Sequence, residues 1–194
     1  MKKMVSKTDF KSMLKDFDFF DISREELIKK SRDVIRLSKQ LINALHRDED
    51  ASKLYDEIKK AQLVLDNLVS KNNKLYYQGS YKAAVMEYVE ALLYYGFITE
   101  GKVLTRNDLN VNTDYYLLGV LDLTGELMRK AVLSASKGKY AYVVTIRDTM
   151  DSLYSELSNF DFRDNELRRK FDSIKYDLKK IEDLILELKL KGKI

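Results

Sequence analysis

Apolar residues recur at helical spacing along most of the chain. Leu27, Val34, Leu37, Leu41 and Leu45 form one stripe. Ser23-Arg24-Glu25-Glu26 ahead of them has the form of a capping box, which predicts a helix from Ser23 to about Leu45. Leu54, Ile58, Leu65 and Leu68 predict a second helix from Ser52 to Ser70, broken at Lys71-Asn72-Asn73-Lys74. A third starts between Tyr76 and Tyr81, with Gly79 a candidate kink, and stops at Gly101, a residue suited to a left-handed cap. Thr105-Arg106-Asn107-Asp108 predicts a short capped turn, followed by a helix from Asn112 to near Gly138. Two more helices are predicted, from about Tyr140 to Leu157 and from about Asp164 to Leu190. The last carries Leu167, Phe171, Ile174, Leu178, Ile181, Ile185 and Leu188, either core or a seam for a partner helix. The pattern leaves open whether the first twenty residues, with Phe10, Phe17, Phe19 and Phe20, continue the first helix or dock separately. The expected fold class is all-α, an antiparallel bundle of about six to seven helices forming a single domain over residues 1–194.

Two helices are unusually apolar, and their few acids come in pairs. Between Ala83 and Ile98 the only charges are Glu87 and Glu90, and between Tyr115 and Met128 they are Asp122 and Glu126. Steps of three and four residues put each pair on one helix face. Carboxylates on such helices need compensation, since burial of an unpaired charge costs several kcal/mol or forces protonation. An oxygen-rich set from facing helices suits a hard divalent cation such as Mg2+ or Mn2+, which lowers the pKa of bound water and stabilises charge on a phosphoryl oxygen. The plainer alternative is pairing with lysines or arginines of neighbouring helices, Arg129 being the obvious partner for Glu126.

Composition narrows the classes. No proline and only seven glycines in 194 residues favour helices. The absence of cysteine excludes disulfides, thiol nucleophiles and cysteine-based metal sites. His46 is the single histidine, beside Arg47 at a helix end, where a solvated residue is expected; it supports neither a ferritin-like di-iron centre nor a Ser–His–Asp triad. Glycine-rich phosphate-binding motifs are missing, so nucleotide-dependent chemistry has no support. The N-terminus has no apolar signal core and no apolar run is long enough to cross a bilayer, so a soluble, unexported, cytoplasmic chain without membrane association is expected. A net charge of +4, from 35 basic and 31 acidic residues, permits a polyanionic partner without requiring one. Lys29, Arg32, Arg36 and Lys39 form a basic stripe, either a track for a phosphate backbone or an ordinary solvated face. Tyr76, Tyr77, Tyr81, Tyr94 and Tyr95 are candidates for stacking on unpaired bases or for core packing.

Taken in order, Glu87-Tyr88-Val89-Glu90-Ala91, Leu117-Leu118-Gly119-Val120 with Asp122-Leu123-Thr124-Gly125-Glu126-Leu127-Met128-Arg129, and Leu167 to Asp172 with Lys175 to Glu182 resemble the translin superfamily, within it the Trax (translin-associated factor X) branch. The resemblance covers Tyr77 to Gly192 well and the first 70 residues by helical pattern alone. It implies a bundle of about seven helices assembled into a hollow, mostly octameric barrel that encloses RNA, here as a homo-oligomer of the archaeal single-paralogue kind. It also implies a divalent-metal ribonuclease site at Glu87, Glu90, Asp122 and Glu126, acids that translin subunits lack. There are departures: Tyr115 stands where an acid is usual, with Asp114 one step earlier, and the connection from Asn110 to Thr113 is short. Tyr77-Gln78-Gly79-Ser80-Tyr81 replaces a basic histidine-containing segment, which speaks against translin-like DNA-end recognition. The expected function is a Mg2+- or Mn2+-dependent endoribonuclease acting on single-stranded or unpaired RNA, with the four acids as catalytic and metal-binding residues and the Lys29–Lys39 stripe as a candidate nucleic-acid contact. Single-stranded DNA is a further candidate partner, and a non-catalytic RNA- or DNA-binding protein of the translin type is the alternative.

Overall fold

Helix α1 is longer than its internal capping signature predicts. In the computed structural model, which describes residues 6–194, it spans Lys7–His46, and its cap is Ser6, whose side chain accepts from the Asp9 amide. Ser23 therefore sits inside the helix, its hydroxyl donating to the Phe19 carbonyl at 2.8 Å. That back-bond to residue i−4 is the alternative use of a serine that mimics a cap in sequence. The undecided N-terminal segment thus continues the first helix from Lys7 onward, while residues 1–5 lie outside the described ones. Phe10, Met13, Leu14, Phe17 and Phe19 are exposed along this projecting part, and burial begins at Ser23.

The remaining elements follow their predicted boundaries closely. Helix α2 spans Ser52–Lys71, and a 3-10 turn at Asn73–Tyr77 fills the predicted break. Helix α3 spans Gly79–Glu100 and ends on Gly101 at φ 68°, so Gly79 begins the helix instead of kinking it. Helix α4, Arg106–Leu109, has the reciprocal Thr105–Asp108 capping box. Helices α5 (Thr113–Ser136), α6 (Tyr140–Leu157) and α7 (Asn165–Leu190) complete the chain. Asn112 caps α5 through the Tyr115 amide at 2.9 Å, and Asp164 caps α7 through the amides of Glu166 and Leu167.

Consecutive long helices joined by short links alternate in direction. The return segment 101–112 inverts the order once more, with Leu104 lying over Gly96 and its carbonyl accepting from the Tyr116 hydroxyl. As a result α1, α3, α5 and α7 run the same way. Arg24 meets Gln78 and Lys39 meets Glu87 between α1 and α3; Tyr81 meets Tyr115 between α3 and α5; Asp122 meets Lys170 between α5 and α7. α3 and α5 are central, with α1 on one side and α6 and α7 on the other. Tyr94, Leu92, Leu93, Leu123 and Leu127 form the middle of the core, and Ile146, Met150, Ile174 and Ile181 extend it beneath α6 and α7. Most of the α7 stripe is therefore core. Among the described residues no helix is long and apolar enough to cross a membrane.

Candidate active site

The two central helices are in close contact at Gly119. A Cβ there would stand 2.4 Å from Val89 Cγ1 and 3.1 Å from the Glu90 backbone nitrogen, so only glycine lets α5 lie this close to α3. Glu87 and Glu90 flank Val89, and Asp122 and Glu126 follow Gly119 by one and two turns. The contact therefore brings the two acid pairs within electrostatic reach of each other, Glu90 feeling the charges of Asp122 and Glu126.

The four acids share a half-buried strip instead of a sealed interior. Gly125, between Asp122 and Glu126, would have nothing within 4 Å of an added Cβ, so the strip is open there. Three of the acids have cationic partners. Glu87 lies 3.8 Å from Lys39 Nζ, Asp122 accepts from Lys170 Nζ, and Glu126 accepts from His46 Nε2 at 2.5 Å with Arg129 Nη1 at 3.7 Å. The predicted Arg129–Glu126 pair is thus present, but it is secondary to His46. Far from being a solvated terminal residue, His46 is 4% exposed, and its Nδ1 pairs with the buried Tyr94 hydroxyl at 3.0 Å.

Among the described residues Glu90 has no cation in contact. Burial, then the charges of Asp122, Glu126 and Glu87, push its carboxyl up to about 8, with Lys170 opposing. Burial also raises Glu87 and Asp122, partly offset by Lys39 and Lys170 respectively, whereas the His46 hydrogen bond lowers Glu126. At neutral pH Glu90 holds a proton while Glu126 is ionised. A raised folded-state pKa means that Glu90 leaves stability untouched below the ordinary glutamate range. It removes stability progressively as pH rises, and the loss is complete above about 8. Glu90→Gln should therefore flatten the fall of melting temperature between pH 5 and about 8.5 in chelator, and should melt above wild type at the alkaline end.

The four acids fit a hard divalent cation in donor chemistry, being all oxygen, and Glu90 is the member with no cation in contact among the described residues. Among the described residues no three acidic or histidine side chains stand close enough together to grip an ion as they are now arranged. The present partners of Glu87, Asp122 and Glu126 would have to share or yield those oxygens.

Of the basic stripe, Lys39 reaches the acids, Arg36 is engaged by Asp33 at 3.6 Å and by Gln40, and Lys29 and Arg32 stay on the exposed face of α1. Of the tyrosines, Tyr81 and Tyr94 are core, Tyr95 stacks on Tyr55 at 4.3 Å, and Tyr77 is 84% exposed. His46, Tyr94 and Lys170 complete the neighbourhood of the acids, and sequence reasoning did not assign any of them to it. For Lys170 a signal existed, since it belongs to one of the blocks that carry the family resemblance.

The pattern of the Translin family matches residues 22–192. The chain belongs to the Translin family. It is 30% identical over 155 residues to an uncharacterized protein of Methanocaldococcus jannaschii, covering 78% of this chain and 70% of that one. It is 25% identical over 229 residues to Translin-associated protein X of Pongo abelii, covering 94% and 78%. The solved structure of apo-NeC3PO superposes with a TM-score of 0.86 at 26% identity, covering 95% of this chain and 98% of the other. AfC3PO in its complex with duplex RNA superposes with a TM-score of 0.76 at 23% identity, covering 94% and 97%, a likeness of fold. The all-α translin-type bundle expected from the sequence is therefore the fold.

Proposed function

We propose that this translin-family protein binds RNA and cleaves it as a Mg2+- or Mn2+-dependent endoribonuclease, working as a homo-oligomeric, octameric barrel in the cytoplasm. RNA binding draws support from family membership and from the duplex RNA bound by the structurally similar AfC3PO. The observation that carries the catalytic reading is the convergence of Glu87, Glu90, Asp122 and Glu126 across the Gly119 contact, with Glu90 uncompensated. A bound divalent cation would supply Lewis acidity toward a phosphoryl oxygen and acidify water. The chain's own residues do the rest. Glu126 is kept ionised by His46, and His46 is held by Tyr94. Glu90, once deprotonated, adds the charge needed to hold the ion. Lys39 and Lys170 are cations at the edge of the strip, where phosphates of an RNA strand would pass.

A non-catalytic RNA-binding reading is favoured by one observation, that three of the four acids already have cationic partners in Lys39, Lys170 and Arg129. The two readings part in a cleavage assay on labelled single-stranded RNA and duplex RNA, with Mn2+ or chelator, comparing wild type with Glu87→Gln. The nuclease reading expects product only with metal and wild-type Glu87. Salt-sensitive binding with no product under either divalent ion would leave the binding reading.

A further inference from the structure

One turn from the acids toward the N-terminal ends of α3, α5 and α7 lies a cavity of about 310 Å³, at the small end of the usual range for ligand sites. Its walls include Tyr76, Tyr77, Tyr115 and Leu118, with Asn112, Asp114, Asp164 and Lys82 as polar groups, the Lys82 ammonium being held by Glu166 at 2.6 Å. Leu118 is one turn before Asp122 on α5, and Leu167, also in the wall, is three residues before Lys170 on α7. The tyrosines form a continuous series. Tyr81 and Tyr115 meet edge to face at 6.0 Å, Tyr76 leans on both, and Tyr77 stands edge-on to Tyr76 at 5.3 Å. The inner rings are fixed by packing, while the last, Tyr77, presents 84% of its surface to solvent.

Resting on the RNA reading above, we propose that this cavity holds one unpaired nucleobase of the RNA strand, stacked on Tyr77, next to the acid strip. Asp114 and Asp164 disfavour a phosphate here, and the one cation of the wall, Lys82, is already paired with Glu166; Asp114 suits a base, since a carboxylate can accept from an exocyclic amine or ring N–H. Asn112 is held by Tyr76, its amide donating to the tyrosine hydroxyl, so the polar wall is positioned before any ligand arrives. Arg24 Nε donates to Gln78 Oε1 at 3.2 Å, one residue beyond Tyr77, and can meet the adjoining phosphates. A base held in a paired helix cannot enter the cavity. The site thus selects unpaired RNA.

The test measures binding in chelator, where cleavage cannot contribute, using a fluorescent single-stranded RNA oligomer and a blunt duplex of equal length. Tyr77→Ala should weaken single-strand binding about 5- to 150-fold, the range for loss of one base–aromatic stack, and leave duplex binding unchanged. Tyr77→Phe should bind like wild type. Unchanged single-strand affinity in Tyr77→Ala, an equal loss for both RNAs, or a Tyr77→Phe defect as large as that of alanine would each overturn the proposal. If wild type binds no RNA at all, the RNA reading falls and this one with it. Wild-type binding that ignores Tyr77 removes only this inference.

Discussion

Asp122→Asn is expected to lower Mn2+-dependent RNA cleavage by at least about 100-fold while leaving the circular dichroism spectrum and RNA affinity as they are. Losing a carboxylate that supports a bound ion, even from outside its direct contacts, typically costs 10- to 100-fold, and Asp122 is proposed as a direct ligand. The substitution is nearly isosteric and lies on the half-buried strip, so the packing around Leu123 and Leu127 is untouched. It does release Lys170, whose ammonium is then free for a phosphate, so binding should hold or improve at low salt. Retained cleavage would mean that the acid strip is an ion-pair network; loss of folding would mean that the Asp122–Lys170 pair chiefly fastens α7 to α5.

The second large effect should come from a residue with no chemistry of its own. Gly119→Val would force a branched side chain into space already filled by Val89, where even a Cβ comes within 2.7 Å of Val89 Cβ. Overpacking costs typically 1–3 kcal/mol, and backbone nearby leaves little room to yield, so about 3 kcal/mol is expected. For a chain of this size that is a drop of roughly 6–12 °C in melting temperature. Valine is a better helix former than glycine, so intrinsic propensity predicts the opposite sign. The variant should also lose its stabilisation by Mn2+ in thermal melts, because prising α5 from α3 separates Asp122 and Glu126 from Glu87 and Glu90. A variant as stable and as metal-responsive as wild type would show that the helices adjust around the contact.

Helix existence, most boundaries and the two acid pairs were legible because each depends on residues within a turn or two of one another. The Ser23 capping signature misled because the same hydroxyl can serve a helix interior, and local sequence does not say which. His46 was hidden for a different reason. Its partner Glu126 is 80 residues away, and a histidine next to Arg47 at a helix end looks solvated until Tyr94 and Glu126 close over it. Lys170, between Arg169 and Phe171, resembles any cation of an amphipathic helix, and only the course of α7 alongside α5 selects it. Gly119 lies in a recognisable motif, but its role as the point where two helices touch depends on the return through residues 101–112.

The shared direction of α1, α3, α5 and α7 has an electrostatic result for the whole molecule. Four peptide macrodipoles add along the bundle and only those of the shorter α2 and α6 oppose them, so one end is biased positive and the other negative. Asp114, Asp164 and Glu166 lie at the first end, and Lys130, Lys137 and Lys139 gather around Asp48 at the second. These charges act as counterweights to a lengthwise polarisation that a bundle of strictly alternating neighbours would never develop.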